Sequence, residues 1–384
     1  MKRSSWLDVL AQQAAAPSAM TPKMRQQLTQ LDELLFDLWN LGDKIVLAWT
    51  REGDNLRFLA VRNYAIIETA GSELINSILS GPKFLPPGRF TDLCEHFGTD
   101  AHVPGLALTA GKALESKLVD HVVSRYGVSL VRERAVVLLD AVGFSLRSPL
   151  EQVSMLNSMS YSVNSAHRQL LSKNVQINFA RTTTGDGFYV WNRARTPAAN
   201  IALYKLMMLI LADNAIAATK AKRFPVPQLR AAFHVGEHYE FHQVEALNPT
   251  TFAYIVGQVT IDLSRLVEKA LPGQILLGDF SIEWPKGEQP GGRIGTLDFV
   301  ERSANAMDGL NNLVVGEDRI ERIRCYLTGE RSADHGFGVT RYEVRDKHGF
   351  SHAAYNAKIN IHRYHSQPIF LGLQNKDVSL TVRR

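Results

Sequence analysis

Hydrophobic positions recur at helical spacing near the start of the chain. The leucines that share one helical face are Leu28, Leu31, Leu34, Leu35 and Leu38, within a stretch that runs on to Trp49. Pro82, Pro86 and Pro87 mark a loop, and a second helical pattern runs over 110–126. These patterns predict a mainly helical region over residues 1–130, with a regulatory or dimerisation role.

The pattern changes from Arg134 onward. The run RAVVLLDAVGFS predicts a buried strand, and Ser148 with Pro149 opens a long amphipathic helix. Two apolar runs then flank a Thr-Gly-Asp-Gly turn, which predicts a β-hairpin with Asp186 at its tip.

Four further elements continue the alternation. A helix is predicted over 198–221, a strand from Leu229, a helix over 258–270 and a strand from Gln274. Together with the earlier elements they complete a β-α-β-β-α-β arrangement of the ferredoxin-like kind, so the predicted fold class is α+β. The second domain is placed at residues 131–384, and its part beyond Phe280 is strand-rich.

Composition narrows the class of protein and its location. The chain has 384 residues, a net charge of +5 spread along the sequence, and two cysteines. This favours a mildly basic enzyme over a nucleic-acid binder, without a disulfide framework. No uninterrupted apolar run has secretory length, and Asp213 interrupts the apolar segment 201–218, which predicts a buried helix. We therefore expect a cytoplasmic protein with neither a nucleic-acid nor a membrane partner.

Two aspartates stand where hard cations can be bound. Asp140 closes the first strand of the second domain, and Asp186 lies at the hairpin tip. The β-α-β-β order brings both residues to one edge of the sheet on neighbouring strands. Such a pair can hold two divalent metal ions that bind triphosphate oxygens and lower the pKa of a ribose hydroxyl.

Two more features favour phosphate chemistry. The small-residue turn after Asp140 can present backbone N–H groups to phosphates at a helix N-terminus. Its residues are Ala141, Val142, Gly143, Phe144 and Ser145. Arg265 lies on a helix two turns after Gly257, where a guanidinium can stabilise charge on phosphates.

Three histidines recur at every fourth position of a predicted strand. They are His234, His238 and His242. At a rise of about 3.3 Å per residue they share a face but lie too far apart to bind one ion, so no metal site is predicted there.

Four segments, in this order, resemble the class III nucleotidyl cyclase catalytic domain over roughly residues 132–280. They are VVLLDAVGFS, RTTTGDGFYVW, LRAAFHVGE and VGQVTIDLSRLVEKALPGQILLGD. The resemblance implies an antiparallel homodimer with its sites at the interface. It also implies two Mn²⁺ or Mg²⁺ ions ligated by Asp140 and Asp186, with help from the Ala141 carbonyl.

The same resemblance assigns the remaining roles. Arg265 stands at the position of the transition-state arginine, and Ile261 stands where the family has a ribose-positioning asparagine. A lysine near the chain end binds the triphosphate in such enzymes. The candidates are Lys347, in a predicted hairpin turn and therefore preferred, and Lys358.

The two base-reading positions of the family hold Thr182 and Tyr254 here, and neither purine-selective pair is present. A tyrosine ring leaves room for a smaller base. In this respect the chain resembles the bacterial pyrimidine cyclases of Pycsar antiphage defence, which implies synthesis of cyclic UMP from UTP for a separate effector. Cyclic CMP or cyclic AMP synthesis, a degenerate cyclase that senses nucleotide, and a dimerisation module are the alternatives.

Overall fold

The computed structural model describes residues 21–53, 55–68, 73–106, 112–221, 225–244, 251–285, 292–330, 338–346 and 348–378. The chain divides into two compact units. One unit runs to Val131 and takes up Tyr239–Ile255, and the other comprises Arg132–His238 with the residues from Val256 onward.

The α-helices are α1 Pro22–Trp39, α2 Asn63–Glu68, α3 Glu73–Ser80, α4 Pro87–Phe97, α5 Lys112–Ser124, α6 Pro149–Ser172, α7 Pro197–Lys220, α8 Gln258–Lys269 and α9 Thr296–Ala306. The strands are β1 Lys44–Glu52, β2 Asn55–Arg62, β3 Val128–Ala141, β4 Phe179–Thr183, β5 Gly187–Asn192, β6 Leu229–Val244, β7 Thr251–Val256, β8 Ile275–Gly278, β9 Ser281–Trp284, β10 Gly292–Gly295, β11 Val314–Val315, β12 Asp318–Leu327, β13 Arg341–Arg345, β14 Ser351–Arg363 and β15 Ile369–Leu371.

The first unit contains a β-hairpin in addition to its helices. The helical pattern was expected to run on to Trp49, but α1 ends at Trp39 because Asn40, Leu41 and Gly42 all have positive φ. The next residues form β1, which pairs antiparallel with β2. The prediction of a helical stretch through Trp49 was therefore wrong, because the β-branched and aromatic residues after the turn pair as a strand.

The second unit has the predicted α+β fold. Its elements β3, α6, β4, β5, α7 and β6 follow one another as β-α-β-β-α-β, and the strand order β6-β3-β5-β4 is that of a ferredoxin-like sheet. Strands β8, β14 and β12 extend the sheet beyond β6. The resulting mixed sheet has parallel pairing between β6 and β8 and antiparallel pairing between β3 and β5.

Helices α6 and α7 pack apolar residues into the core that covers this sheet. Helix α6 begins at Pro149 with Ser148 as its N-cap, as predicted, and the Ser148 backbone N–H donates to the Glu151 carboxylate at 2.9 Å. Helix α7 is long and apolar enough to cross a membrane, yet 67% of its apolar window is buried within the fold. Tyr204 of α7 packs edge-on against Phe233 at 5.3 Å, so α7 is a core helix.

Beyond Phe280 the chain forms strands, as expected, and also the helix α9, which the sequence pattern did not reveal. Phe299 of α9 stacks on Phe233 of the central strand β6 at 5.4 Å. This helix therefore completes the core of the second unit.

Candidate active site

Asp140 and Asp186 meet at one edge of the central sheet. Asp140 lies in β3 opposite Gly187 of β5, and the backbone N–H of Ala141 donates to the carbonyl oxygen of Asp186 at 3.1 Å. Gly187 is required by this close pairing, because a Cβ atom there would lie 2.0 Å from the carbonyl oxygen of Leu139. The sheet itself therefore fixes the spacing of the two carboxylates.

The tip of the hairpin is held by its own side chains. Gly185 has a φ of +100°, a conformation that favours glycine, and its N–H donates to the Thr183 hydroxyl at 3.0 Å. The Thr184 hydroxyl lies 3.4 Å from Oδ1 of Asp186. Asp186 is thus the charged group of a turn whose backbone is fixed.

Asp140 is bound by Arg230, a residue that the sequence analysis did not single out. Nε of Arg230 lies 2.6 Å from Oδ2 of Asp140, and its Nη1 contacts the Ala270 carbonyl oxygen at 3.3 Å. Burial raises the pKa of Asp140, the Arg230 guanidinium opposes that rise, and the nearby Asp186 carboxylate adds to it. One arginine therefore does not fully compensate the buried negative charge.

This edge fits hard divalent cations. Within the described ranges no group of three or more His, Cys, Asp or Glu side chains is arranged to hold a metal ion. Mg²⁺, however, commonly uses only one or two carboxylates and completes its shell with water and substrate phosphates. Two carboxylates with an incompletely compensated charge provide that type of donor set, so Asp140 and Asp186 are the residues that would hold the metals.

The turn after β3 offers backbone donors to an anion. Its Val142 N–H is not available, because it donates to the Gln228 carbonyl oxygen at 2.9 Å. The N–H groups of Gly143, Phe144 and Ser145 have no acceptor among the residues that the structure describes. Of the predicted phosphate-binding turn, these three positions are the ones left to bind a ligand.

A cavity of about 450 Å³ borders this turn. Its lining includes Val142, Gly143, Arg147, Met155 and Pro227. The turn therefore faces open space on one side, which an anion can enter.

Helix α8 carries the predicted arginine and starts with a close backbone contact. Gly257 precedes it, and a Cβ there would lie 2.7 Å from the Cα of His238. Ile261, at the position predicted for ribose contact, is 47% exposed. The Tyr189 hydroxyl of β5 donates to the Thr260 carbonyl oxygen at 3.0 Å, which ties the first turn of α8 to the strand that follows Asp186.

Arg265 is partly buried and lies between two acidic side chains. Its Nε is 3.4 Å from Oδ2 of Asp346, and its Nη1 is 3.5 Å from Oε2 of Glu268. The structure does not bring Arg265 to the Asp140 carboxylate, which pairs with Arg230 instead. Within one chain the predicted site residues therefore form two groups.

The two predicted base-reading residues belong to different compact units of the chain. Thr182 lies in β4 of the second unit, paired with Tyr189, and is half-buried. Tyr254 lies in β7, and residues 239–255 belong to the first unit. Its ring stacks on that of Phe241 with centroids 5.8 Å apart, which fixes the orientation of the tyrosine.

Lys347, the preferred triphosphate lysine, lies outside the described residues. The other candidate, Lys358, is buried in β14, where its Nζ donates to the Gly372 carbonyl oxygen at 3.1 Å. Among the histidines, Nε2 of His234 lies 3.4 Å from Asp262, and Nε2 of His238 lies 3.4 Å from Arg134.

No family model matches the chain, and no curated protein matches it. Among solved structures, it is similar to the adenylyl cyclase CyaB from P. aeruginosa, at 12% identity, 44% coverage of this chain, 94% of that chain and a TM-score of 0.30. It is also similar to the guanylate cyclase domain of RhGC from Catenaria anguillulae in complex with GTP, at 12% identity, 59% coverage of this chain, 97% of that chain and a TM-score of 0.35. A third similar structure is a bacterial light-regulated adenylyl cyclase, at 13% identity, 47% coverage of this chain, 100% of that chain and a TM-score of 0.31. These scores are low, so the strand order of the sheet carries the fold assignment.

Proposed function

We propose that this protein is a class III nucleotidyl cyclase, which converts a nucleoside triphosphate into a 3′,5′-cyclic monophosphate and pyrophosphate. The observation that carries the proposal is the placement of Asp140 and Asp186 side by side on β3 and the β5 hairpin, next to a turn with three backbone N–H groups that have no acceptor among the described residues. In the reaction the ribose 3′-oxygen forms a bond to the α-phosphorus. The bond from that phosphorus to the pyrophosphate oxygen breaks, and the hydroxyl proton is lost to solvent.

Asp140 and Asp186 would hold two Mn²⁺ or Mg²⁺ ions, with help from the Ala141 carbonyl. When bound, such ions stabilise the charge on phosphate oxygens and lower the pKa of the ribose hydroxyl. The N–H groups of Gly143, Phe144 and Ser145 point the terminal phosphates toward this edge.

Arg265 stabilises the negative charge that develops on the phosphates as pyrophosphate leaves. Since it does not reach Asp140 within one chain, we infer that a homodimer completes each site with Arg265 from the second copy. The segment that carries Tyr254 enters the site in the same way.

For the base we favour UTP, with CTP next. The hydroxyl groups of Thr182 and Tyr254 can each donate or accept, which suits the carbonyl and N–H groups of a uracil edge. The Phe241–Tyr254 stack supports this choice, because a ring held in place restricts the room for a purine. The product would be cyclic UMP, an alarm messenger made in the cytoplasm against phage and read by a separate effector.

A nucleotide sensor without turnover is the second candidate. It is favoured by Ile261, whose exposed apolar side chain cannot bind a ribose hydroxyl.

Pyrophosphate release in the presence of Mn²⁺ distinguishes the two candidates. An enzyme releases pyrophosphate from a triphosphate, and Asp186→Asn loses that release while still folding. A sensor binds the triphosphate, detected by calorimetry, and releases none.

Mixing two impaired variants tests the shared site. Asp140→Ala and Arg265→Ala chains should regain activity when combined, because a heterodimer retains one site with both groups intact. If proven subunit exchange restores nothing, the site is not shared between chains.

A further inference from the structure

Two carboxylates contact the Arg265 guanidinium, and they differ in burial. The side chain of Asp346, in the turn between β13 and β14, is 4% exposed, whereas that of Glu268 is 48% exposed. Exposed ion pairs on one helix contribute little, because solvent screens them. A buried carboxylate that faces a buried nitrogen has a much larger effect on the position of its partner.

The inner nitrogen of Arg265 faces Asp346. Nε of Arg265 is buried and makes no regular hydrogen bond in the described part of the chain. The carboxylate within ion-pair distance of this nitrogen is that of Asp346, at 3.4 Å. This contact is directional, because the guanidinium is planar and its donors are fixed in one plane.

Asp346 is itself held on both oxygens. Its Oδ1 accepts from the backbone N–H groups of His348 and Phe350, each at 2.9 Å. Its Oδ2 faces Arg265 and also Nε2 of His352, at 3.6 Å. Although desolvation opposes it, these backbone donors, the hydrogen bond from His352 and the charge of Arg265 lower the pKa of Asp346, so the carboxylate is charged at neutral pH.

His352 continues this chain of contacts back to α8. Its Nδ1 lies 2.8 Å from Oδ1 of Asp262, and Oδ2 of Asp262 lies 3.4 Å from Nε2 of His234 on β6. Asp262 also accepts from the Gln258 side chain at 2.8 Å. The turn between β13 and β14 is thus tied to the helix that carries Arg265, and both are tied to the central sheet.

We propose that Asp346 is a positioning residue for Arg265: it binds the inner nitrogen of the guanidinium, held in place by His352, Asp262 and His234, and so aims the outer nitrogens at the substrate phosphates. This inference rests on the proposed cyclase function. Asp346 acts through Arg265 and does not itself contact the substrate.

A purely structural role for Asp346 predicts different results. An aspartate that accepts two backbone N–H groups stabilises a turn whether or not an arginine is near. The variant Asp346→Asn retains an oxygen for those N–H groups and removes the charge that Arg265 faces. Glu268→Gln removes the other charge on the same guanidinium and is the matched control.

Steady-state kinetics with the full-length chain tests the proposal. Asp346→Asn should lower kcat about tenfold with KM changed less than about twofold, because a misaligned guanidinium loses contacts in the transition state. Glu268→Gln should change kcat by less than about twofold. When Arg265 is already Ala, adding Asp346→Asn should cause no further loss, since Asp346 acts through that arginine.

An NMR measurement separates this inference from the proposed function. The Arg265 Nε–Hε resonance, identified by its absence in Arg265→Lys, should shift in Asp346→Asn and stay in place in Glu268→Gln. If wild-type protein is inactive but the resonance behaves so, the contact stands and the cyclase proposal fails. Two results with active wild-type protein overturn the inference. One is a normal kcat in Asp346→Asn. The other is that Asp346→Asn lowers kcat by the same factor whether residue 265 is Arg or Ala.

Discussion

Asp140 of strand β3 and Asp262 of helix α8 are both largely buried carboxylates, yet their surroundings shift their pKa values in opposite directions. Desolvation is the largest influence on each, and it favours the neutral acid in both. Asp262 receives contacts from His234, Gln258 and His352, which outweigh desolvation and lower its pKa. Among the residues that the structure describes, Arg230 is the one that lowers the pKa of Asp140; desolvation and the Asp186 carboxylate outweigh it, so the pKa of Asp140 is raised.

The opposite pKa shifts distinguish a carboxylate with a structural role, Asp262, from one that is suited to bind a ligand, Asp140. A carboxylate whose oxygens are all bound by the protein has no capacity left for a ligand. A carboxylate pair that remains short of positive charge has a strong tendency to bind a cation. The surroundings of Asp140 therefore support its role as a metal ligand, whereas those of Asp262 support its role in fixing α8.

The largest expected effect is on activity, at the two proposed metal ligands, Asp140 and Asp186. Asp140→Ala and Asp186→Ala should each lower kcat by on the order of 10³-fold or more, because each removes a ligand of ions that contribute several kcal/mol to transition-state stabilisation. Initial rates with saturating Mn²⁺ and circular dichroism measure activity and folding separately. A folded variant with near wild-type activity would exclude that aspartate as a metal ligand.

The next largest effect is expected at Arg265, which lies on α8, the same helix as Asp262. Arg265→Ala should lower kcat by on the order of 10²-fold and change KM much less, since its contact strengthens as charge develops. The check is a full substrate titration at fixed Mn²⁺. An effect on KM alone would make Arg265 an anchor for the ground-state triphosphate.

The two carboxylates should also differ in stability when metal is absent. Asp262→Asn should lower the free energy of unfolding at pH 7 by about 2 kcal/mol, the scale of a lost hydrogen bond to a charged group. Asp140→Asn should raise it, because asparagine resembles the protonated acid that the site favours. Chemical denaturation in EDTA measures both, and equal signs would refute the contrast.

The pH dependence follows from the same directions. The stabilisation from Asp262 is present above the unfolded pKa of about 3.8 and is lost as pH falls through its lowered folded pKa. For Asp140 the folded pKa is raised, so its relative stabilisation is present below about 3.8 and is lost as pH rises through the folded value. Denaturation of wild type and each Asn variant from pH 3 to 7 should give difference curves of opposite slope.

The smallest expected effect concerns the base. Tyr254→Ala should reduce the preference for UTP over ATP about tenfold, which corresponds to about 1.4 kcal/mol and lies within the usual discrimination of one pocket contact. The ratio of kcat/KM for the two triphosphates measures it. Phe241→Leu removes the stacking partner and should cause a smaller change, and an unaltered ratio in Tyr254→Ala would remove the tyrosine from base selection.

Much of the α+β architecture could be predicted from the sequence, because its elements have strong local signals. Helix α7 begins one residue before its predicted start, and Ser148 caps α6 as expected. The β-α-β-β order itself places Asp140 beside Asp186. The chain reversal at Asn40 and Leu41 could not be predicted, since non-glycine residues rarely adopt positive φ.

The contacts between distant segments could not be predicted either. Arg230 pairs with a carboxylate 90 positions earlier, and its only sequence signal is a charge between the buried residues Leu229 and Ala231 of a strand. Asp346 and Arg265 are likewise brought together by tertiary packing. Local periodicity holds no information on such pairs, which depend on the strand order of the complete sheet.

The central claim, that this protein cyclises a nucleoside triphosphate, is tested most directly by identifying the product by mass. Wild-type protein and Asp186→Asn are each incubated with Mn²⁺ and an equimolar mixture of UTP, CTP, ATP and GTP. The account predicts a 3′,5′-cyclic monophosphate from wild type alone, with cyclic UMP most abundant and cyclic CMP next. Dominant cyclic AMP would contradict the pyrimidine preference, and no cyclic product from any triphosphate would contradict the cyclase function itself.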